Sequence, residues 1–228
     1  MSGPEMTEDA LLDELSIEQR QRLTTYLDRL LSVNEEMNLT AISNRDEAWQ
    51  RHIVESLRIV KLFGDAPNLI DVGSGGGIPG LVIAIACPQL DVTLLEATEK
   101  KARFLDQTAK SLGLTNVRVL AERAELAAAA GAKRRESFEL VTARAVAPLR
   151  VLLELTVPFL KVGGRLVAVK GERAETELAE SADAQRLLGV TLEHSERHPT
   201  ATVLVLRKTH ATPKKYPRRA GEPKKNPL

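Results

Sequence analysis

The sequence predicts a doubly wound α/β fold, in which helices cover both faces of a mostly parallel sheet, with additional helices before it. Short apolar runs alternate with helical patterns from residue 68 onward, as strand–helix–strand units do. The first unit, residues 68–96, holds four glycines within five residues, and Glu96 ends its second strand. A strand, a glycine loop, a helix, a strand and an acid together are typical of a nucleotide-binding unit.

The composition limits the class of protein. The chain has 228 residues, of which 43% are hydrophobic, enough for one main core and an appendage. The single cysteine, Cys87, excludes a disulfide framework and a cysteine-ligated zinc site, and it suits a reducing compartment. No stretch approaches the roughly 20 apolar residues of a membrane span, and the acidic N-terminus lacks the layout of a signal peptide. We therefore expect a cytoplasmic monomer that uses neither a membrane nor a metal.

Residues 1–64 are predicted to form a helical extension that packs on the core. Ser16 and Gln19 make a capping box that begins a helix. Apolar residues then recur at helical spacing as far as Leu31. The residues before this helix, 1–15, are expected to be mobile.

A second helix of the extension is predicted from about Arg45 to Phe63. It carries Arg51, His52 and Glu55 within one turn of each other. Two interpretations of His52 stay open. It is either a packed helix residue tied to Glu55 or a residue that faces a substrate.

The spacing of the glycines indicates which ligand the loop would bind. A dinucleotide fingerprint, G-x-G-x-x-G, is met from Gly75, but this frame begins late after the strand. It also contains Pro79, which lacks the N–H that a phosphate would require. The other frame, D-x-G-x-G-x-G from Asp71, resembles the first motif of S-adenosylmethionine-dependent methyltransferases. An acid there suits a ligand with an ammonium and a sulfonium group, so S-adenosylmethionine is favoured over NAD.

Further patterns predict the remaining elements in chain order. The predicted strands are 69–72, 91–95, 117–120, 138–143 and 165–169, with two more near 190–194 and 202–206. The predicted helices are 79–86, 98–112, 126–131, 148–160 and 172–188, with a turn at Gly163 and Gly164. Ligands of such sheets bind at the carboxyl ends of the strands. We therefore expect Gly73, Glu96, Arg123, Arg144 and Lys170 to converge on one crevice.

These ends offer arginines and a lysine but no obvious general base. Cys87 lies at the far end of the helix after the glycine loop, on the wrong side for a nucleophile. The Asn/Asp-Pro-Pro-aromatic signature of amino-group methylation is missing after the fourth strand, where residues 142–145 read Thr-Ala-Arg-Ala. An acceptor that is already nucleophilic, such as guanine N7, would fit, because proximity and orientation would supply most of the rate.

The charge is distributed unevenly along the chain. The formal net charge is +1, but residues 207–228 carry +7 and residues 1–36 carry −6. A basic end indicates an anionic partner, and a tail at 209–228 has too little apolar surface to fold alone. Tyr216 lies between basic pairs, where it could stack on a base; a solubilising tail is the alternative. The candidates for RNA contact are Arg51, His52, Lys100, Lys214, Lys215, Tyr216, Arg218, Arg219, Lys224 and Lys225.

From about Leu23 to Leu228 the sequence resembles the bacterial RsmG (GidB) family, which methylates guanine N7 in the 530 loop of 16S rRNA with S-adenosylmethionine. The glycine loop alone would match many methyltransferases, but the motifs together are specific. Glu55-Ser56 departs mildly from the Asp-Ser that is common in the family. The motifs that carry the resemblance are 38–40, 51–52 with 55–56, 71–80, 103–105, 144–145, 170–171 and 212–219.

The resemblance implies a Rossmann-like class I S-adenosylmethionine-dependent methyltransferase fold with N-terminal helices. Residues 65–208 would be the methyltransferase domain and 209–228 a basic RNA-binding tail. The target would be guanine 527 of 16S rRNA or of the 30S subunit, and loss of the protein would be associated with streptomycin resistance. A small-molecule methyltransferase and a non-catalytic RNA-binding assembly factor are the alternatives.

The resemblance and the strand-end positions together assign the site residues. Gly73 and Ile78 would line the cofactor, Ala124 and Glu125 would meet its adenine, and Glu96 would take the ribose. The cofactor-binding candidates are Asp71, Gly73, Gly75, Gly77, Ile78, Glu96, Ala124, Glu125 and Arg144. The catalytic candidates are Arg144, Arg123 and Lys170.

Overall fold

A seven-stranded sheet forms the centre of the protein in the computed structural model, which describes residues 7–228. The strand order is β3-β2-β1-β4-β5-β7-β6. Strands β1 to β5 pair in parallel, whereas β7 pairs antiparallel with both β5 and β6. The strands are β1 (Asn68–Val72), β2 (Asp91–Leu95), β3 (Val117–Leu120), β4 (Phe138–Arg144), β5 (Leu160–Lys170), β6 (Val190–Arg197) and β7 (Thr202–Lys208). The predicted α/β class and all seven predicted strands are confirmed.

Helices cover both faces of this sheet and bury two apolar cores. Successive strand side chains point to opposite faces, so on β1 Leu69 belongs to one core and Ile70 to the other. Within residues 7–228 no helix is long and apolar enough to cross a membrane. The α-helices are α1 (Glu8–Asp13), α2 (Ile17–Met37), α3 (Arg45–Ala48), α4 (Glu55–Arg58), α5 (Gly80–Ala86), α6 (Glu99–Ser111), α7 (Ala124–Ala127), α8 (Leu149–Thr156), α9 (Ala174–Glu180), α10 (Ala182–Leu188) and α11 (Glu222–Lys225).

The N-terminal helices pack against the face of the sheet that α5 and α6 cover. The predicted capping box at the start of α2 is present, with Ser16 and Gln19 each bonding the other's backbone N–H. The expected mobility of residues 1–15 does not hold for α1, because Leu11 is buried and Glu8 accepts a hydrogen bond from Trp49 at 2.7 Å. Residues 1–6 lie outside the described part of the chain.

The predicted helix from Arg45 to Phe63 is present, but its hydrogen bonding changes along its length. After α3 a π-helical turn spans Trp49–Val54, and after α4 a 3-10 turn spans Ile59–Leu62. Such π turns within helices are rare and often occur at functional sites. This one carries Arg51 and His52.

The turn predicted at Gly163 and Gly164 is wrong, because both residues lie inside β5. A Cβ at Gly164 would approach the Glu139 carbonyl oxygen to 2.9 Å. The glycine is therefore required by close pairing with β4, beside a register shift at Phe138 and Leu140.

Three predicted helix boundaries also differ. The helix predicted over 148–160 becomes α8 followed by a 3-10 turn, Val157–Phe159, and the helix predicted from Leu126 begins at Ala124. The helix predicted over 172–188 is two helices, because Ser181 interrupts it. The Ser181 hydroxyl donates to the carbonyl of Leu178 at 2.8 Å, a local bond that competes with helix continuation.

Candidate functional site

The glycine loop after β1 makes a sharp turn that only glycine adopts without strain. Gly73, Gly75 and Gly77 have φ angles of +74°, +54° and +100°. A Cβ at Gly73 would lie 2.7 Å from Val146 Cγ2, and one at Gly77 would lie 2.6 Å from Leu81 Cδ1. The loop therefore needs glycine both for its backbone conformation and for close packing.

Asp71, near the end of β1, is buried next to this loop. It is 1% exposed, and its Oδ1 accepts a hydrogen bond from the Thr142 hydroxyl at 2.8 Å. Burial raises the pKa of the Asp71 carboxyl to about 6. Asp71 is not among the residues that line the two cavities described below, and its predicted contact with a cofactor stays a prediction.

Glu96 connects the end of β2 to the glycine loop. Its Oε2 accepts the Gly75 N–H at 2.9 Å, and its Oε1 accepts the Thr98 N–H at 2.7 Å. The residue is 8% exposed and borders both cavities. Each carboxylate oxygen has a further lone pair, so Glu96 can accept ligand hydroxyls while it holds the loop.

One cavity, here called the β3 cavity, has a volume of about 230 Å³ and lies beyond the ends of β2 and β3. It brings together Gly73, Glu96, Ala124 and Glu125, as predicted for a cofactor. Its walls also include apolar side chains, which suit the faces of a purine. The further lining residues are Val72, Leu95, Ala97, Glu122, Arg123, Val146, Ala147, Val151, Leu155, Gly221, Pro223 and Lys224.

A second cavity, the β4 cavity, has a volume of about 400 Å³ and lies on the other side of the glycine loop. Gly73 and Glu96 border both cavities, so the two adjoin. Basic residues outnumber acidic ones along the β4 cavity, whereas acidic residues outnumber basic ones along the β3 cavity. The lining residues other than Gly73 and Glu96 are Leu39, Thr40, Ala41, Ile42, Arg51, His52, Ser74, Gly75, Gly76, Ile78, Lys101, Arg144 and Ala145.

Arg144 enters the β4 cavity from the end of its strand and is held by the N-terminal helices. Its guanidinium pairs with the Glu55 carboxylate at 3.1 Å and donates to the backbone carbonyl of Arg51. Burial raises the pKa of Glu55 and lowers that of Arg144, and their mutual attraction opposes both shifts. The next residue, Ala145, has a φ of +55°, a strained conformation of the kind that concentrates at functional sites.

His52 lines the β4 cavity as a neutral imidazole. It is 5% exposed, and its Nε2 is 2.7 Å from the Thr40 hydroxyl, so it is tied to Thr40 rather than to Glu55. Its Nδ1 is buried without a hydrogen-bond partner. Burial, reinforced by the charge of Arg144, lowers the pKa of His52 to about 4. His52 is therefore packed against Thr40 and also lines the β4 cavity, and its substrate-facing role stays a prediction.

The depressed pKa of His52 predicts a pH-dependent stability. Between pH 4 and 6.5 the unfolded chain binds a proton that the folded protein excludes, so this contribution to stability is lost as the pH falls. Relative to a His52→Asn variant, the wild type should lose about 2 kcal/mol of unfolding free energy between pH 7.5 and 5. Urea unfolding of both proteins at both pH values measures this loss. Asp71, whose pKa is also shifted, contributes equally to the stability of both proteins, so it does not affect the difference between them. A constant difference between the two proteins would contradict a neutral His52.

Three predicted site residues do not join Arg144. The Lys170 ammonium donates to the Ala147 carbonyl at 2.8 Å, pairs with Glu177 at 2.6 Å and lines neither cavity. Arg123 borders the β3 cavity, and Lys100 lines neither cavity. The five predicted residues therefore do not all converge on one crevice. Gly73, Glu96 and Arg144 line the β4 cavity, and Arg123 lines the adjoining β3 cavity.

Sequence reasoning missed residues that complete the β4 cavity, among them Lys101 and Thr40. Lys101 follows the predicted Lys100 in the first turn of α6. Consecutive residues of a helix point in different directions, so the orientation of α6 decides which of the two lysines lines the cavity. Thr40 belongs to the Asn-Leu-Thr motif, which as a linker gave no indication of its position. Within the described residues no three His, Cys, Asp or Glu side chains cluster as metal ligands.

Two of the predicted RNA contacts in residues 209–228 are used inside the protein. Tyr216 is 5% exposed, so its ring is packed inside the protein and is not available to stack on a base as predicted. Arg218 pairs with the fully buried Glu154. The other basic side chains of this segment are exposed, namely Lys214, Lys215, Arg219, Lys224 and Lys225.

Comparison with known proteins gives a consistent result. The family model GidB, described as "rRNA small subunit methyltransferase G", matches residues 19–201. The protein named "Ribosomal RNA small subunit methyltransferase G" of Lactobacillus johnsonii is 41% identical over 225 residues, 94% of each chain. Its namesake in Sorangium cellulosum is 46% identical over 201 residues, covering 87% of this chain and 83% of that protein.

Solved structures support the fold alone. A S-adenosylmethionine-dependent methyltransferase from Aquifex aeolicus superimposes with a TM-score of 0.55 at 16% identity. The match covers 70% of this chain and 92% of that one. The predicted Rossmann-like methyltransferase fold is confirmed.

Proposed function

Since the chain belongs to the GidB family, that of rRNA small subunit methyltransferase G, we propose that it transfers a methyl group from S-adenosylmethionine to N7 of a guanine in the 530 loop of 16S rRNA, at position 527. The observation that carries this proposal is the pair of adjoining cavities that share Gly73 and Glu96. One is suited to a nucleoside, and the other is lined by basic side chains.

The residues present fit S-adenosylmethionine. Gly73 borders both cavities, and a Cβ there would collide with Val146. Because Gly73 has no side chain, a ligand that extends from one cavity into the other could lie against its backbone. Glu96 would accept the ribose hydroxyls, and Ala124 and Glu125 would border the adenine. When bound, this cofactor supplies a methyl group activated by a positively charged sulfur.

The acceptor would lie in the β4 cavity, where the protein orients it. Guanine N7 has a free lone pair, so no side chain has to remove a proton. Arginine donates well to guanine O6, and Arg144 lies at this cavity. His52 also lines this cavity and, being neutral, adds no charge there.

The Arg144–Glu55 ion pair also suits the charge change at the acceptor. Methylation at N7 leaves a positive charge on the base, which a bare guanidinium nearby would oppose. Glu55, 3.1 Å from Arg144, offsets this cation. Arg144 can therefore orient the base without a large electrostatic cost to the product.

The partner would be 16S rRNA or the 30S subunit, in the cytoplasm, bound by a monomer. The exposed basic residues of 209–228, with Arg51 and Lys101 at the cavity, would contact phosphates. The division into an N-terminal extension (1–64), a methyltransferase domain (65–208) and an RNA-binding tail (209–228) is part of this proposal.

Transfer of a labelled methyl group from S-adenosylmethionine tests the function. The substrates are 30S subunits and naked 16S rRNA from a strain that lacks the modification, and the product is mapped by reduction and aniline cleavage. We expect a single cut in the 530 loop. Labelling without a cut would overturn N7 as the acceptor atom. Absence of labelling with cofactor bound would favour a small-molecule methyltransferase, and absence of cofactor binding would favour a non-catalytic RNA-binding factor.

A further inference from the structure

Residues 209–228, here called the C-terminal segment, form part of the β3 cavity. Gly221, Pro223 and Lys224 line it together with Glu96 and Ala124. Short helix α11 begins directly after Gly221, whose φ of +82° turns the chain at this point. The end of the chain therefore contributes to the lining of this cavity, together with the strand ends and α8.

A hydrogen bond holds the segment at the cavity. The Gly221 N–H donates to Glu125 Oε1 at 2.8 Å. Glu125 is 9% exposed and is the residue predicted to meet the adenine. Glu125 thus borders the cavity and also holds Gly221, another of its lining residues.

An ion pair between Arg218 and a fully buried carboxylate anchors the segment next to the cavity. Glu154, on α8, is 0% exposed, and both its oxygens accept from the Arg218 guanidinium, with Nε at 2.9 and 3.1 Å. The Arg218 backbone N–H also donates to Glu154, at 2.8 Å. Arg218 Nη2 donates in addition to the carbonyl of Asn226 at 2.8 Å. Arg218 therefore holds the chain on both sides of the cavity-lining residues.

A third contact fixes the beginning of the segment. The Arg135 guanidinium donates to the backbone carbonyls of Thr212 and Tyr216, each at 2.7 Å. These contacts use charged donors and acceptors, which form the stronger hydrogen bonds of proteins. Polar contacts with the rest of the protein therefore hold the segment in place. The basic composition of its sequence did not indicate these contacts.

We propose that the C-terminal segment is a wall of the adenosine site and that the Glu154–Arg218 pair positions this wall, so that the pair sets cofactor affinity. The inference rests on the proposed use of S-adenosylmethionine. An adenine ring in the β3 cavity would contact Pro223 and Gly221 as well as the residues at the strand ends. Arg218 and Glu154 touch no ligand and act as positioning residues.

A paired substitution tests this proposal. A Glu154→Met/Arg218→Met variant removes the tether while an apolar pair fills the space, a replacement that buried ion pairs often tolerate. We expect its calorimetric Kd for S-adenosylhomocysteine to rise about tenfold, as for the loss of one net interaction of 1.4 kcal/mol. The control, Asp183→Met/Arg186→Met, removes an exposed ion pair of α10 and should leave the Kd unchanged.

Two further readouts separate positioning from general damage. 5′-Methylthioadenosine, which lacks the amino-acid part, should lose affinity by the same factor, because the wall borders the adenosine half alone. In the wild type, S-adenosylhomocysteine should slow amide hydrogen exchange across residues 212–226, a result that stands even where the double variant does not fold.

An unchanged Kd in a folded double variant, or unchanged exchange on binding, would overturn the inference and leave the proposed function intact. A wild type without affinity for S-adenosylhomocysteine would overturn both.

Discussion

The Arg144→Met variant is expected to transfer methyl groups to its RNA about 100-fold more slowly than the wild type, because a misplaced acceptor costs about this factor. Arg144 has a side-chain exposure of 15% and is fixed by two partners, Glu55 and the Arg51 carbonyl. Such a fixed guanidinium can hold a base in one orientation. The measurement is a single-turnover rate at saturating cofactor and RNA.

Removal of Arg144 also takes away one of the cations that stabilise the buried Glu55 carboxylate and leaves Arg51, Arg58 and His198 near it, so stability has to be separated from catalysis. The raised pKa of Glu55 lets the carboxyl take up a proton, which limits the damage. A Glu55→Gln/Arg144→Met variant removes this complication, and we expect it to be as slow as Arg144→Met while it unfolds at a higher temperature. The Glu55→Gln variant alone should be slowed less, about tenfold, because it keeps the donor but not the compensating charge.

The result that would count against this role is a normal rate in the folded fraction of the Arg144→Met protein. Arg144 would then be a structural residue that joins β4 to the N-terminal helices. The control for loss of surface charge is Arg186→Met, whose ion pair with Asp183 is exposed.

The parts of the site that the sequence predicted are those that depend on local backbone geometry. The glycine loop requires positive φ angles at Gly73, Gly75 and Gly77, and Glu96 follows from the length of one strand–helix–strand unit. Such features need no knowledge of tertiary contacts, so the glycine loop and Glu96 could be predicted from the sequence.

The features that the sequence did not predict depend on contacts between distant residues. Gly164 was predicted to lie in a turn, because its close approach to Glu139 inside the sheet is visible only in the structure. Lys170 lies at a strand end like Arg144, but Glu177 holds its ammonium away from the cavities. The C-terminal segment has a solvated composition, yet buried Glu154 on α8 fixes its Arg218. No local pattern distinguishes these residues from exposed ones.

Glu96→Ala is expected to weaken binding of S-adenosylhomocysteine by roughly 10- to 100-fold, as for hydrogen bonds to a charged group worth about 1.5–3 kcal/mol. Two effects contribute to this loss. The variant would lack the acceptor for ribose hydroxyls, and it would leave the N–H groups of Gly75 and Thr98 without the carboxylate that now accepts them. Calorimetry on the variant alone does not divide the loss between them.

A change in the ligand separates the two effects by a double-mutant cycle. In the wild type, the 2′-deoxy analogue of S-adenosylhomocysteine should bind about tenfold more weakly than the parent, a loss of about 1.4 kcal/mol. In Glu96→Ala the same change should cost less than about twofold, because the hydroxyl has no carboxylate to meet. If the analogue loses the same affinity in both proteins, Glu96 supports the loop and does not bind the ribose. The Glu96 carboxylate borders both cavities. If it does not bind the ribose, the adenosine need not lie in the β3 cavity. The assignment of the β4 cavity to the acceptor would then lose its basis.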